Sequence, residues 1–502
     1  MFVYTVSKHT WLHVAVLVAA LTHWYSWHTA VKRRHSFTTE QAIVDAWSRI
    51  IILPPAHFNK IVIGINSNVD LIVSGINLLS TLNATSTAAH DHATIGSIEQ
   101  LSESFAQFFS QGAPAERFIS DQRTFVTVFK EAERLPHERH IGGNAALLAN
   151  SMVAALQSAE VMLVGPIGPR AKLLLNPRIV TQNSARIAKD EMHVIMEYKL
   201  GQIYGEYVAP ASSRFIASHD LFSGSSIVID MFFNAIATQK PDLVVLSGLH
   251  LLSAQPYERY HEKLRMIKRQ LTQVSRSTPI HLQLGSLGNE DYALTVLNKI
   301  VPLVDSIGVN EQELAFISSV ANGPYAEAYP MRAGTIHVHK AVEMIHWLLT
   351  AYGHEHAVND GRRLTRVHFH SMTYHIIAAR GRDWSNLAAA VSAGARTAGR
   401  HSCGAAAGLA VDTSVLDLRV SYTFMLDNEQ ARMYTLNPHD PLASWMRDDV
   451  VFVFSPVLVC KHPLRTVGVP DAVAAVALVY SQFYRYGMPT GSHAHTHAQP
   501  TS

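Results

Sequence analysis

Only two cysteines, Cys403 and Cys460, occur in 502 residues. That scarcity excludes every Cys-x-x-Cys metal site and any disulfide-built scaffold. It leaves two readings, a pair of buried thiols or one bridge. Charge is sparse as well: Asp, Glu, Lys and Arg make up 16% of the chain and nearly cancel, to a formal +2. With neither a basic surplus nor a basic stripe, no nucleic-acid partner is expected. Internal repeats and heptad arrays are missing, which excludes solenoids and coiled coils.

A membrane helix needs about 20 consecutive apolar residues, and Trp11–Leu21 (WLHVAVLVAAL) falls short of that. The run is preceded by Lys8 and followed by Lys32, Arg33 and Arg34, and it suits the apolar core of a secretory signal, with a cleavage point at Thr29–Ala30. Targeting to the secretory pathway is therefore expected, to the endoplasmic reticulum lumen or outside the cell. The alternative is retention of the segment as a short anchor, the only contact with a membrane. Basic residues after a retained anchor would favour a cytoplasmic C-terminus. Asn83-Ala84-Thr85 reads as a glycosylation sequon.

What is present is a large apolar content, 48%, enough for one large domain and a smaller one. Short β-branched runs at Ile61–Ile65, Glu160–Val164, Leu243–Leu246, Ile280–Leu284, Ser306–Val309 and Arg366–His370 read as strands. Helical periodicity lies between them at Pro256–Ser275, Glu311–Val320 and Val342–Tyr352. Such alternation predicts an α/β chain with a mostly parallel sheet covered by helices on both faces. Ligands then sit at the carboxyl ends of the strands. The expected divisions are a targeting segment and linker over 1–55, a domain over 56–488, and a frayed tail over 489–502 holding His493, His495 and His497.

Four segments carry polar residues where a ligand would lie. In Gly64-Ile65-Asn66-Ser67-Asn68-Val69-Asp70, a strand delivers Asn68 and Asp70, groups that pair well with hydroxyls. Ile141-Gly142-Gly143-Asn144 lets backbone approach a ligand ahead of a helix. Asn310-Glu311-Gln312-Glu313 ends a strand with oxygen ligands suited to Mg²⁺, and equally reads as a helix cap. In Gly468-Val469-Pro470-Asp471, a carboxylate stands in the first turn of an apolar helix predicted over Asp471–Phe483. That turn favours anions, and the same residues also make an ordinary helix start.

In this chain order the four segments resemble the ribokinase-like sugar kinases. Finer matches resemble the ADP-dependent glucokinase family in its animal form: Ala115-Glu116-Arg117-Phe118, His193 with Met196-Glu197-Tyr198, Arg214-Phe215-Ile216, Ser218-His219-Asp220, Pro241 to His250, His368-Phe369-His370, and Pro456 to Lys461. The resemblance spans about residues 58–485. It implies a large α/β domain and a discontinuous smaller lid, within roughly 66–120 and 190–225, acting as a monomer on glucose and ADP with Mg²⁺. By residue, it implies Asp471 as general base, with Gly468 and Arg214 at the transferring phosphoryl group. Asn68, Asp70, Glu116, Gly143, Asn144 and His193 would line the sugar pocket. His370, Thr466 and Val467 would lie on the nucleotide side, with Asn310, Glu313 and Asp471 serving the metal. The animal members also carry a cysteine pair like Cys403 and Cys460, which implies a disulfide.

Two positions depart from the family pattern. Gly-x-Gly-Asp reads here Gly468-Val469-Pro470-Asp471, and proline brings no N–H to the anion site. His-x-Glu reads His281-Leu282-Gln283, which removes a negative charge near the metal. These departures keep a second expectation open, a catalytically impaired relative that acts by binding sugar or nucleotide.

Overall fold

The computed structural model describes residues 20–23, 38–55, 57–84, 88–328, 336–354, 361–404, 412–464 and 467–484. Most of the Trp11–Leu21 run, Thr29–Ala30, Thr85, Thr466 and the histidine-bearing tail lie outside them. Among the described residues no helix is long and apolar enough to cross a membrane.

A 10-stranded sheet runs Ala443–Arg447, Val450–Pro456, Tyr374–Arg380, Arg366–His370, Ser306–Asn310, Ile280–Gln283, Leu243–Leu246, Lys60–Gly64, Glu160–Val164, Val180–Thr181. Pairing is parallel from Val180–Thr181 to Arg366–His370 and antiparallel beyond. The parallel strands are buried on both faces, which is why they read as unbroken apolar runs. Along Lys60–Gly64, Val62 packs with the helices Ser226–Gln239 and Tyr257–Leu271. Its neighbours Ile61 and Ile63 face the helices Asn144–Ala155 and Val469–Val479. This is the mostly parallel, two-sided α/β arrangement expected from the sequence.

A second, 6-stranded sheet runs Thr94–Ile95, Ala115–Ile119, Ser213–Ser218, Met192–Tyr198, Asn68–Ser74, Glu138–Gly142. Its own core gathers Phe105, Phe109, Tyr198 and Phe215. The chain passes between the sheets at 65–67, at Gly143, at 188–191 and at 219–225. Nearly every sugar-side residue expected from the sequence lies at or beside one of these passages.

Two expectations need correction. Within the supposed linker, Thr39–Ile50 is a helix capped by the Thr38 side chain. Its Ile43 and Trp47 are buried against Ala395, Leu416, Val457 and Leu458, so the folded body begins well before residue 56. The C-terminal helix spans Val469–Val479 rather than Asp471–Phe483. Beyond it, Gln482–Phe483 pairs as a strand with Trp384–Ser385, and Phe483 packs on the Trp384 ring. At the other end, Pro470 costs the helix nothing, because the first turn has N–H groups without intrahelical partners.

Cys403, at the end of the helix Leu387–Ser402, is joined to Cys460, at the end of the strand Leu458–Cys460. The bridge closes a loop with a sequence separation of 57. Loop-closure arithmetic then gives a stabilisation of about 4 kcal/mol. Cys460→Ser is therefore expected to lower the thermal midpoint measured by circular dichroism, and a reductant should lower the wild-type midpoint equally. A midpoint indifferent to both changes would contradict this.

Candidate active site

The residues expected on the sugar side come together where the chain passes between the sheets. Asn68 opens its strand beside Gly142, and its Nδ2 donates to Asp70 Oδ1 at 2.7 Å. A Cβ on Gly142 would fall 2.0 Å from Asp70 Oδ1, so only glycine lets this carboxylate lie against the neighbouring strand. Gly143 follows at φ 83°, with its missing Cβ replaced by Ser67 and Asn68. Asn66, buried beside them, accepts from the Ala145 N–H at 3.0 Å and so ties the first passage to the second. Burial raises the Asp70 carboxyl to about 6, although His193, Asn68 and Arg214 pull the other way.

His193 pairs in register with Asp70. Its Nε2 lies 2.9 Å from Asp220 and its Nδ1 3.7 Å from Glu116. Burial alone would strip this ring of its proton, but Asp220, Glu116 and Asp70 raise it to about 10, so it is an imidazolium at neutral pH. Burial would likewise raise Glu116; His250 and His193 outweigh it and hold the carboxyl down to about 2. The His250 Nε2 stands 3.3 Å from Glu116. Together these groups offer fixed donors and acceptors to a ligand rich in hydroxyls.

Gly468, left-handed at φ 75°, caps the helix that carries Asp471 in its first turn. Asn144 Nδ2 donates to Asp471 Oδ1 at 2.9 Å, which joins the passage after Gly143 to this carboxylate. Burial raises Asp471 to about 6 against the pull of Asn144, Arg214 and His250. Arg214 interacts with Asp471, Glu197 and Asp70; desolvation lowers its pKa and the carboxylates work against that.

Asn310 and Glu313 form a reciprocal cap: the Asn310 N–H donates to Glu313 Oε2 at 2.9 Å, and the Glu313 N–H to Asn310 Oδ1 at 2.9 Å. Burial raises Glu313 well above the usual carboxylate range, and Asp471 raises it further. Two buried carboxyl groups that oppose each other's ionisation suit a divalent cation, which would offset both charges. The donor set is all oxygen, as Mg²⁺ requires, and since the cap occupies both Glu313 oxygens, waters would complete the contact.

The other expected residues flank these groups. His370 ends its strand opposite Asn310, but its Nε2 lies 3.4 Å from Gln283, and its ring stands 5.5 Å from that of His368. Burial lowers His370 to about 4, which leaves it neutral. Gln283 is thus packed between His281 and His370. The Val467 carbonyl lies 3.2 Å from His401 Nε2, just before Gly468. The residues that sequence reasoning missed are Asp220 and His250. Both lie in matched runs, yet each acquires meaning only through a partner distant in the chain, His193 and Glu116.

The chain resembles known proteins over most of its length. Residues 59–480 match the ADP-specific Phosphofructokinase/Glucokinase conserved region. A protein of Caenorhabditis elegans described as a probable ADP-dependent glucokinase is 51% identical over 488 residues, covering 96% of this chain and 97% of that one. The ADP-dependent glucokinase of Bos taurus is 36% identical over 450 residues, covering 89% of each. Among solved structures, an ADP-dependent kinase complex with fructose-6-phosphate and ADPβS superposes with a TM-score of 0.64 at 18% identity, over 88% of this chain and 97% of that chain. A hypothetical ADP-dependent phosphofructokinase from Pyrococcus horikoshii OT3 gives 0.57 at 18% identity, over 86% and 98%. These two likenesses establish the fold.

Proposed function

The chain belongs to the ADP-specific phosphofructokinase/glucokinase family, and on that premise we propose that it transfers the β-phosphoryl group of ADP to the 6-hydroxyl of D-glucose. The products are glucose 6-phosphate and AMP. The observation that carries this reading is the Asn144–Asp471 hydrogen bond. It puts a buried carboxylate, at the anion-favouring start of a helix, within one side chain of the hydroxyl-binding cluster. Asp471 takes the proton of the attacking hydroxyl. Arg214 faces the charge that develops on the transferring group, where a planar cation can bridge several oxygens. Asn68, Asp70, Glu116, Gly143, Asn144 and His193 hold the sugar.

Asn310 and Glu313 would hold Mg²⁺ through its waters, with Asp471 nearby, and the ion when bound neutralises phosphate charge. We assign His370 and Val467 to the nucleotide side, the 6-stranded sheet to the lid, and a monomer to the working form. The Cys403–Cys460 bridge suits an oxidising compartment and so supports the secretory pathway, in the endoplasmic reticulum lumen or outside the cell. In line with the sugar assignment, the basic groups acting on Asp70, Glu116 and Asp471 among the described residues are Arg214, His193 and His250, with no lysine beside them.

The test is glucose 6-phosphate formation by the full chain with Mg²⁺ and either ADP or ATP. Product is expected with ADP. No product with either nucleotide, from folded protein that binds glucose, would support the impaired-relative reading. Pro470 favours that second reading, since it removes one N–H from the turn facing the phosphoryl group. Pro470→Gly restores the donor and is expected to raise kcat, with about 10²–10³ as the ceiling. Steady-state kinetics check this, and an unchanged kcat would mean that the turn does not need the donor.

A further inference from the structure

Glu116, expected on the sugar side, belongs to the 6-stranded sheet, but the side chain that meets its Oε2 comes from the other sheet. His250 lies in the short helix Leu249–Ala254, directly after the strand Leu243–Leu246. Its side chain is only 4% exposed, that of Glu116 13%, and its Nε2 reaches Glu116 Oε2 at 3.3 Å.

Neighbouring residues fix the backbone of this turn and crowd the ring. Gly248 turns the chain at φ 88°, against Asn66 Oδ1, which would lie 2.6 Å from a Cβ there. Ser253 Oγ donates to the His250 carbonyl at 2.6 Å. Gly285 lies so close that a Cβ would fall 2.2 Å from His250 Nδ1. The same 284–289 segment meets the smaller sheet a second time. Gly288 packs on the guanidinium of Arg117, which Asp91 holds with two hydrogen bonds of 2.8 and 2.6 Å. Consecutive residues of one strand, Glu116 and Arg117, are thus each met by the large-sheet side.

We propose that His250 is a positioning residue for sugar binding: from the large-sheet side it donates to Glu116 and fixes the smaller sheet, and that carboxylate, where the sugar is held. The proposal rests on the reading of Glu116 as a sugar-side group. A buried charged hydrogen bond has a large share in placing its acceptor, and its loss costs about tenfold or more in affinity. The Asn144–Asp471 hydrogen bond does not involve His250, so the loss falls on sugar binding more than on turnover.

The experiment measures glucose affinity by calorimetry without nucleotide, steady-state kinetics with ADP and Mg²⁺, and amide exchange of the strand Ala115–Ile119 in ligand-free protein. His250→Ala should weaken glucose binding about tenfold or more, raise KM more than it lowers kcat, and speed exchange in that strand. His250→Gln, whose Nε2 can take the place of the ring Nε2, should recover most of each loss. In a Glu116→Gln background, His250→Ala should add little. Equal affinity and exchange in wild type and His250→Ala would overturn the proposal. So would a loss that glutamine does not relieve, or full additivity with Glu116→Gln. A wild-type chain that transfers no phosphoryl group defeats the glucokinase reading alone, and the exchange comparison still decides the role of His250.

Discussion

Asp471→Asn is expected to abolish glucose 6-phosphate formation while glucose still binds. The amide is nearly isosteric and can still meet Asn144, so the helix start and the sugar cluster keep their shape. What it cannot do is accept the hydroxyl proton. General-base catalysis contributes roughly 10²–10⁴ in rate, so kcat should fall by at least that factor. Its acidity supports the same role. Burial has raised Asp471 to about 6, near enough to neutrality for a base that must be ionised before it acts and hold a proton afterwards. The sign follows: kcat/KM in wild type should be lost as pH falls through about 6, because the carboxylate is protonated there. Product formation and calorimetric glucose titration of the variant check the first part, and a pH–rate profile the second. Undiminished turnover would remove Asp471 as the base.

The parallel sheet was legible because its strands are buried on both sides, and a strand such as Leu243–Leu246 then has no alternation to confuse with a helix. The helix Thr39–Ile50 carries its own signal, Thr38 three residues before Gln41, but a cap of this kind is masked by the apolar run and basic cluster that precede it. The C-terminal helix is shorter than its apolar run suggests, because Gln482 and Phe483 pair instead with Trp384–Ser385, a partner remote in the chain. The site divides in the same way. Asn68 and Asp70 alternate at the start of one strand, and Asn310 with Glu313 has the spacing of a cap, so local pattern exposed them. Asp220 and His250 have no local pattern. Their roles come from His193 and Glu116, brought near by the second sheet, and no spacing rule within one segment encodes that. Gln283 is likewise held by partners distant in the chain, since His370 packs on it from another strand.

The second large effect is expected at Arg214, the cation that Asp471 and Asp70 share. Arg214→Gln removes the group facing the transferring phosphoryl and leaves two buried carboxylates with less compensation. An arginine at such a position is worth about 10³–10⁵ in kcat, so a loss of at least 10³ is expected. A second consequence separates this role from simple damage. Arg214 pulls the Asp471 carboxyl down, so without it the acid limb of the pH–rate profile should move above about 6, the pull of Asn144 and His250 remaining. Arg214→Lys keeps the charge but loses the planar fork that spans several oxygens. It should therefore leave the acid limb close to its wild-type position while recovering only part of the rate. Paired rate and pH measurements on the two variants decide the matter. If lysine restored full turnover, charge alone would account for the role of Arg214. If glutamine left both rate and limb unchanged, Arg214 would not face the phosphoryl group at all.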